Sequence, residues 1–406
     1  MINDPLHDIV QSNEIIELLK NEEAKSFLSE HFDEKPEKLA LTYRDKVNFN
    51  LSILTQLLQL YHKALHKIPL WVENKCAFHT KSYEQCTSAV IAKYKSQLFR
   101  GSKMIDLTSG LGVDSYFFSK SFDQVVSLEK DTETYQFAKY NQKLLCADNI
   151  SIYNSDLENF DLEPWYDLIY IDPDRRINET EQKKNVATYS PNIFVWYKKL
   201  LRHSDCILIK LSPMTDISYL QNEIPEISTT HVIAYKNEVK ELLLEIRPNT
   251  ESSSICAVDL NDNFVRTYSK KPLTTTIQTG ILDNILLEPS RAIIKAGLAS
   301  NYCQSLGLRF ISRHGLYFFN ETPVNDFMGR QFQILARLNT QWKEIKKYLK
   351  KHNLKSVQIA QRNFFDDVKT IRKKLKISDG GDSTLIFTKD QDGNAVCLHV
   401  RQLLSE

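Results

Sequence analysis

The 406-residue chain has almost no net charge: 52 lysines and arginines face 51 aspartates and glutamates, leaving +1 with histidine neutral. So balanced a molecule is not a polycation, and any nucleic-acid surface must come from local asymmetry. Cysteine pairing signals are missing too. The seven cysteines (Cys76, Cys86, Cys146, Cys206, Cys256, Cys303 and Cys397) include no CxxC pair and no Cys/His cluster at zinc-finger spacing. No metal is therefore expected, and the odd count fits free thiols in a reducing cytoplasm. No window approaches about 18 uncharged apolar residues, so no membrane span is expected. The first twenty residues carry Asp4, Asp8, Glu14 and Glu17 among apolar side chains, unlike a secretory leader. Tandem repeats and low-complexity tracts are absent.

What is present is enough chain for two or three domains, with the 42% apolar and 25% charged content of a globular protein. Residues 1–95 read as helical. Val47, Leu51, Leu54, Leu58, Tyr61 and Leu65 step by three and four, one stripe of an amphipathic helix ending at Ile68-Pro69; Pro36 suits a helix's first turn. From Lys103 the pattern becomes strand, turn, helix. Residues 104–107, 124–128, 150–153, 167–171 and 206–211 read as strands separated by helical stretches such as 132–146. That alternation predicts an α/β domain over 96–250, its parallel sheet covered on both faces. Residues 231–235 and 240–247 read as a terminal antiparallel pair.

Residues 251–330 read as a small α+β, ferredoxin-like insert. Strands 254–260 and 264–269 flank Asn261-Asp262-Asn263, a hairpin signal; 290–306 reads as helix, 309–312 and 316–319 as short strands. Residues 331–406 read as a second α+β module. Leu335, Leu338, Trp342, Ile345 and Leu349 have helical spacing, 356–360 reads as a strand, 366–375 as a helix, and 384–388 and 395–401 as strands around an Asp390–Gly393 turn.

The chemistry is concentrated after the first of these strands, in Asp106-Leu107-Thr108-Ser109-Gly110-Leu111-Gly112-Val113-Asp114. Glycines between a strand and a helix let the backbone approach a ligand closely. Glu129 closes the second strand some twenty residues on, where a carboxylate can accept both hydroxyls of a ribose. Asp156 follows the third strand and can meet an adenine amino group. Asp106, Glu129, Asp156 and Asp172 thus stand at the carboxyl ends of four successive strands, the edge where open α/β sheets bind ligands. The plain alternative is that surface acids simply follow strands. Asp172-Pro173-Asp174-Arg175-Arg176 comes directly after the fourth strand. Asp172 can accept a hydrogen bond or a proton there. Arg175 and Arg176 can clamp an anion, unless Arg175 is a structural partner of Asp174.

The glycine loop lacks the GxGxxG of dinucleotide folds. It resembles motif I of class I methyltransferases that use S-adenosylmethionine (SAM), D-x-x-x-G-x-G. That resemblance implies that Asp106, Thr108, Gly110 and Gly112 surround the methionine part of SAM, with Glu129 on the ribose, Asp156 on adenine, and Asp172 between cofactor and acceptor. Asp114 matches an acid of related RNA methyltransferases, or else caps the helix. The DPDRR segment departs from the (N/D)PP(Y/F) of amino-group enzymes. It resembles the DPPR of 5-methyluridine enzymes, but no nucleophilic-cysteine motif surrounds Cys206, Cys256 or Cys303. Tyr83-Glu84-Gln85-Cys86-Thr87-Ser88, Lys210-Leu211-Ser212-Pro213-Met214, Glu288-Pro289-Ser290, Arg362-Asn363-Phe364-Phe365 and Asp379-Gly380-Gly381-Asp382 together resemble bacterial methyltransferases with a C-terminal THUMP-like domain, over about residues 70–403. The family implies that Glu84 and Gln85 touch the SAM pocket and that Lys210 and Ser212 line the target side. Read without the family, Glu84 is a solvated helix residue and Ser212 a turn former.

Between Gln341 and Lys376, twelve lysines and arginines face Glu344, Asp366 and Asp367, a local excess of nine. Such a face either is merely solvated or gives salt-dependent RNA affinity. Lys346, Lys350, Arg362, Arg372 and Lys373 are its candidate contacts, with Arg176 from the DPDRR segment and Phe364 and Phe365 as stacking groups. The sequence predicts a Rossmann-like methyltransferase behind an N-terminal helical region, followed by an α+β insert and a THUMP-like module. It would methylate a nucleotide of structured RNA, tRNA or rRNA, in the cytoplasm. The rivals are a methyltransferase of proteins or small molecules and a non-catalytic RNA-binding scaffold.

Overall fold

The computed structural model describes residues 12–175, 189–273, 284–312 and 316–403. Arg176 lies outside the described residues. The chain divides into two compact units, residues 1–229 with 242–253 and residues 230–241 with 254–406.

Seven helices open the first unit: α1 (Ser12–Lys20), α2 (Glu22–Glu30), α3 (Pro36–Thr42), α4 (Leu51–Ala64), α5 (Pro69–Glu73), α6 (Thr80–Gln85) and α7 (Ala89–Leu98). The stripe that begins at Val47 in the sequence becomes helical only at Leu51. Asn50 sets that start, its side chain accepting from the Ser52 and Ile53 N–H groups. Pro36 and Pro69 occupy first turns, where a missing N–H costs nothing. Leu54, Leu58, Trp71 and Phe78 of this region are buried in one cluster with Phe137.

The sheet comes next: β1 (Gly101–Asp106), α8 (Val113–Phe118), β2 (Phe122–Leu128), α9 (Thr132–Leu144), β3 (Ile150–Tyr153), β4 (Leu168–Ile171), the two-residue pair β5 (Asp174–Arg175) and β6 (Tyr189–Ser190), α10 (Ile193–Leu200), β7 (Ile207–Leu211), α11 (Ile217–Glu223), β8 (Ile227–Tyr235) and β9 (Glu238–Ile246). Strand order is β3-β2-β1-β4-β7, all parallel, and residues 242–246 of β9 pair antiparallel with β7. Every residue of β4 is buried, as expected of a strand covered on both faces. The order reverses between β1 and β4, and a crevice opens at the carboxyl ends of strands at such a switch point. Lys236 and Asn237, between β8 and β9, both have positive φ, the geometry of a tight hairpin turn.

The second unit contains the antiparallel pair β10 (Ser254–Leu260) and β11 (Val265–Ser269), then β12 (Ile285–Pro289), α12 (Arg291–Lys295), α13 (Ala299–Ser305), β13 (Arg309–Phe310), β14 (Phe318–Asn320), β15 (Gly329–Asn339), α14 (Trp342–Lys351), β16 (Gln358–Gln361), α15 (Val368–Leu375), β17 (Ser383–Lys389) and β18 (Ala395–Gln402). Seven of these strands form one sheet, ordered β13-β14-β12-β15-β18-β17-β16. Residues 285–289 and 318–320 therefore share a sheet with the C-terminal module. Leu335 and Leu338 carry helical spacing but lie in β15. A register shift between Ile334 and Ala336 leaves Leu335 bulged and 42% exposed, which breaks the period-two signature of a strand. The helix begins only at Trp342, and Ile345 and Leu349 pack with Ile371 and Leu375 of α15 over the sheet.

Candidate cofactor site and active site

The glycine loop turns sharply because Gly110 and Gly112 both take positive φ, 54° and 81°, where a side chain would strain the backbone. The turn closes on itself: the Ser109 N–H donates to the Leu128 carbonyl and the Gly112 N–H to the Ser109 carbonyl. Asp106 is fully buried below it. Its carboxyl accepts from Ser115 Oγ at 2.6 Å and from the Thr108 N–H at 3.1 Å. Burial pushes this acid up to about 7, against the pull of the Ser115 hydrogen bond.

Glu129 is tied to the loop from the neighbouring strand. One oxygen accepts from the Gly110 N–H and the other from the Asp131 N–H, each at 2.8 Å. Burial raises its pKa, and those two hydrogen bonds oppose the rise. A carboxylate has about four lone-pair sites, so it retains two for a ligand diol. Asp156 is anchored differently: its Oδ1 accepts from the Glu158 and Asn159 N–H groups and from Asn159 Nδ2.

These groups surround a cavity of about 350 Å³, within the range of small-molecule sites. Thr108, Gly110, Asp114, Glu129, Asp156, Asp172 and Gln85 are on its wall; Glu84, Asp106, Gly112, Lys210 and Ser212 are not. Glu84 is exposed on α6, and its carbonyl accepts from Lys67 Nζ. Ser212 is buried in the turn after β7, where its hydroxyl accepts from the Met214 N–H at 3.2 Å. Arg175 contributes backbone to β5, opposite Tyr189.

Behind the wall lies a charge network that sequence reasoning missed. Lys95 of α7 is completely buried, with its Nζ 2.8 Å from Asp114 Oδ1 and donating to the Tyr170 hydroxyl at 2.9 Å. Asp114 Oδ2 accepts from Thr87 Oγ1 at 2.6 Å and from the Tyr170 hydroxyl at 3.1 Å. Burial pushes Asp114 up, but the charges of Lys95 and Lys210 outweigh it and hold the carboxyl below its usual range. Lys210 in turn donates to Thr87 Oγ1 at 3.2 Å and is ion-paired with Asp172. The Asp172 N–H donates to Thr108 Oγ1 at 2.6 Å. Thr87 thus joins a buried pair to the pair at the cavity. It belongs to the segment 83–88 that the sequence marks, whereas a lysine on a helix, like Lys95, reads as solvated.

Residues 12–175 place one thiol, Cys86, on this wall, and burial pushes it up to about 11. At neutral pH it is a thiol rather than the thiolate that nucleophilic catalysis needs.

In the second unit, Lys346 and Lys350 are exposed on α14 and Lys373 on α15. Arg372 donates to Asp379 at 2.7 Å and to the Val357 carbonyl. Arg362 has its guanidinium engaged by Glu288 Oε1, while Arg330 holds Glu288 Oε2. Burial raises Glu288, and the two arginines more than offset it. The Glu288-Pro289-Ser290 and Arg362-Asn363-Phe364-Phe365 segments are therefore two halves of one ion-pair cluster. Gly329 beside it has no room for a side chain, since a Cβ would lie 2.1 Å from the Glu288 carbonyl oxygen. Phe365 is 69% exposed and stacks on Phe364.

Residues 329–402 match the THUMP domain-like family. No match was found among curated proteins. Among solved structures, a protein of Porphyromonas gingivalis W83 assigned as a methyltransferase is 26% identical with a TM-score of 0.81; the likeness covers 97% of this chain and 99% of that one. The human methyltransferase 10 domain containing protein is 12% identical with a TM-score of 0.36, over 47% of this chain and 97% of its own. The tRNA (m1A58) methyltransferase of Aquifex aeolicus is 14% identical with a TM-score of 0.30, over 41% and 71%. These last two likenesses are too loose to carry an argument. The chain has the fold of the class I SAM-dependent methyltransferases, with a THUMP-like module at its C-terminal end.

Proposed function

We propose that this protein is a SAM-dependent methyltransferase acting on a nucleotide of structured RNA, tRNA or rRNA. The observation that carries the reading is the pairing of two acids across one cavity: Glu129 bound to the glycine loop on one side, Asp172 bound to Lys210 on the other. The residues present fit SAM. Glu129 keeps acceptors for the ribose hydroxyls, and Asp156, on the same wall, is the group assigned to adenine. The buried Ser109 hydroxyl on the wall has no hydrogen-bond partner among the described residues, so it is available to the polar methionine end.

When bound, SAM supplies an electrophilic methyl group on a sulfonium. The protein's part is then to bring an acceptor into line with it, a contribution of proximity and orientation. Asp172 accepts a hydrogen bond from the acceptor and directs its lone pair; Lys210 and Thr108 fix the position of Asp172. Arg175 and Arg176 are assigned to the acceptor side as groups able to clamp an anion, and Ser212 is assigned there on the family resemblance alone. The exposed lysines of α14 and α15 would hold RNA phosphates. Catalysis through a cysteine adduct does not suit the protonated thiol of Cys86.

The test uses radiolabelled SAM, the purified protein and an extract from a strain lacking the gene, followed by separation of RNA, protein and small molecules. Label in RNA that disappears with Asp172→Ala is the expected result. Label in protein or small molecules would overturn the RNA assignment, and full activity of Asp172→Ala would remove Asp172 from the mechanism.

A further inference from the structure

The second unit holds a cavity of about 970 Å³ to which methyl transfer gives no task. Asn237, Asp259, Phe264, Arg266, Phe327 and Arg330 are among the residues on its wall. The cations there already have partners. Lys236 pairs with Asp262 at 2.9 Å. Arg266 donates to the Phe327 carbonyl at 3.2 Å and to Asp326 at 3.4 Å. Arg330 is held by Glu288.

Asp259 is different. It is 8% exposed, and its carboxyl takes part in no hydrogen bond or ion pair among the described residues. Arg266 stands directly across from it on β11, but the guanidinium is turned toward Phe327 and Asp326. It lies over the Phe264 ring, 4.2 Å from the centroid. Burial pushes the Asp259 carboxyl up to about 6, with the Arg266 charge pulling the other way.

The Asp259 side chain is mostly buried while its carboxylate oxygens reach the cavity, so a ligand that brings N–H groups to them takes the place of water there. A phosphate does not suit the wall, since it would meet Asp259, Asp262 and Asp326 with every nearby cation engaged. The stacked Phe264 and Arg266 offer a flat face of the kind on which bases lie. We propose that this cavity binds an unpaired guanine, whose N1–H and 2-amino N–H donate to the two oxygens of Asp259 while its ring lies against Phe264 and Arg266. The proposal rests on RNA as the partner class. Its test reads the cavity directly, so its failure and a failure of methyl transfer are separate results.

The full-length protein is titrated with guanosine and with inosine, which lacks the 2-amino group, at pH 7.5. Guanosine binding that is at least tenfold stronger than inosine binding is expected. Asp259→Asn should weaken guanosine by at least about tenfold with a thermal midpoint no lower than that of the wild type at pH 7.5. Lowering the pH from 7.5 to 5 should weaken it in the wild type, because protonated Asp259 loses an acceptor. Equal affinity for the two nucleosides, or undiminished binding by a folded Asp259→Asn, overturns the proposal. Because the nucleoside comparison uses the wild type alone, it decides the matter even if that variant does not fold. Tighter binding of methylguanidine than of guanosine would also overturn it, and would point to an arginine of a protein partner.

Discussion

Asp106 and Glu129 are buried acids that both hold the glycine loop, one from below and one from the end of the neighbouring strand, yet they call for different measurements. Asp106 is raised from the usual 3.8 to about 7 in the folded chain. A carboxyl raised on folding holds its proton more tightly there than in the unfolded state. Its contribution to stability is fully present below about pH 4 and is lost as pH rises through about 7. Asp106→Asn has no such loss, so its thermal midpoint relative to wild type should climb between pH 5 and pH 8. A difference that stays flat over that range would show that Asp106 does not titrate there. For Glu129 the measurement is cofactor affinity. Glu129→Ala should weaken SAM binding by at least about tenfold through lost charge-assisted hydrogen bonds, as calorimetry would detect; unchanged affinity would remove it from the ribose. Both residues are legible in the sequence because a motif fixes their distance from a strand end. Arg362 is legible only as a cation. Its partner Glu288 is 74 residues away, and no local pattern shows that its guanidinium is engaged.

Between elements, the strands of the parallel sheet are the easiest features to read. Burial on both faces demands unbroken apolar runs such as Leu168–Ile171, and a single sequence displays them directly. Contacts among α7, β4 and β7 leave no such trace. Lys95, Asp114, Thr87, Tyr170 and Lys210 come together through contacts that span 75 residues for Lys95–Tyr170 and 123 for Thr87–Lys210, and only the fold assembles them. Within that group Thr87 is the joint. Thr87→Val keeps its shape and loses its hydroxyl, so turnover should fall about tenfold, the scale of one buried hydrogen bond. SAM affinity should stay within about twofold, and Thr87→Ser should restore the rate. Equal losses of rate and SAM affinity would instead make Thr87 part of the cofactor site. At β15 a bulge disguised a strand as a helix, because two leucines three apart satisfy either reading when the alternation is interrupted.

For the whole molecule, the near-zero net charge hides a strongly basic stretch, which is visible in the sequence as composition but not as geometry. The structure separates its members: Arg362 and Arg372 are tied to acids, while Lys346, Lys350 and Lys373 are exposed. If those three lysines contact phosphates, changing all of them to glutamine should weaken RNA binding. It should also flatten the dependence of log affinity on log salt by roughly two to three units. An unchanged slope would leave the face merely solvated.

The two units are not consecutive stretches of chain. Residues 230–241 group with residues 254–406, and residues 242–253 group with residues 1–229. A growing polypeptide cannot complete the first unit when residue 229 leaves the ribosome. The partner that residues 242–246 give to β7 arrives only after the first segment of the second unit has been made. The unit that carries the parallel sheet therefore matures late in synthesis, and a nick or an inserted domain between 230 and 241 would interrupt both units at once.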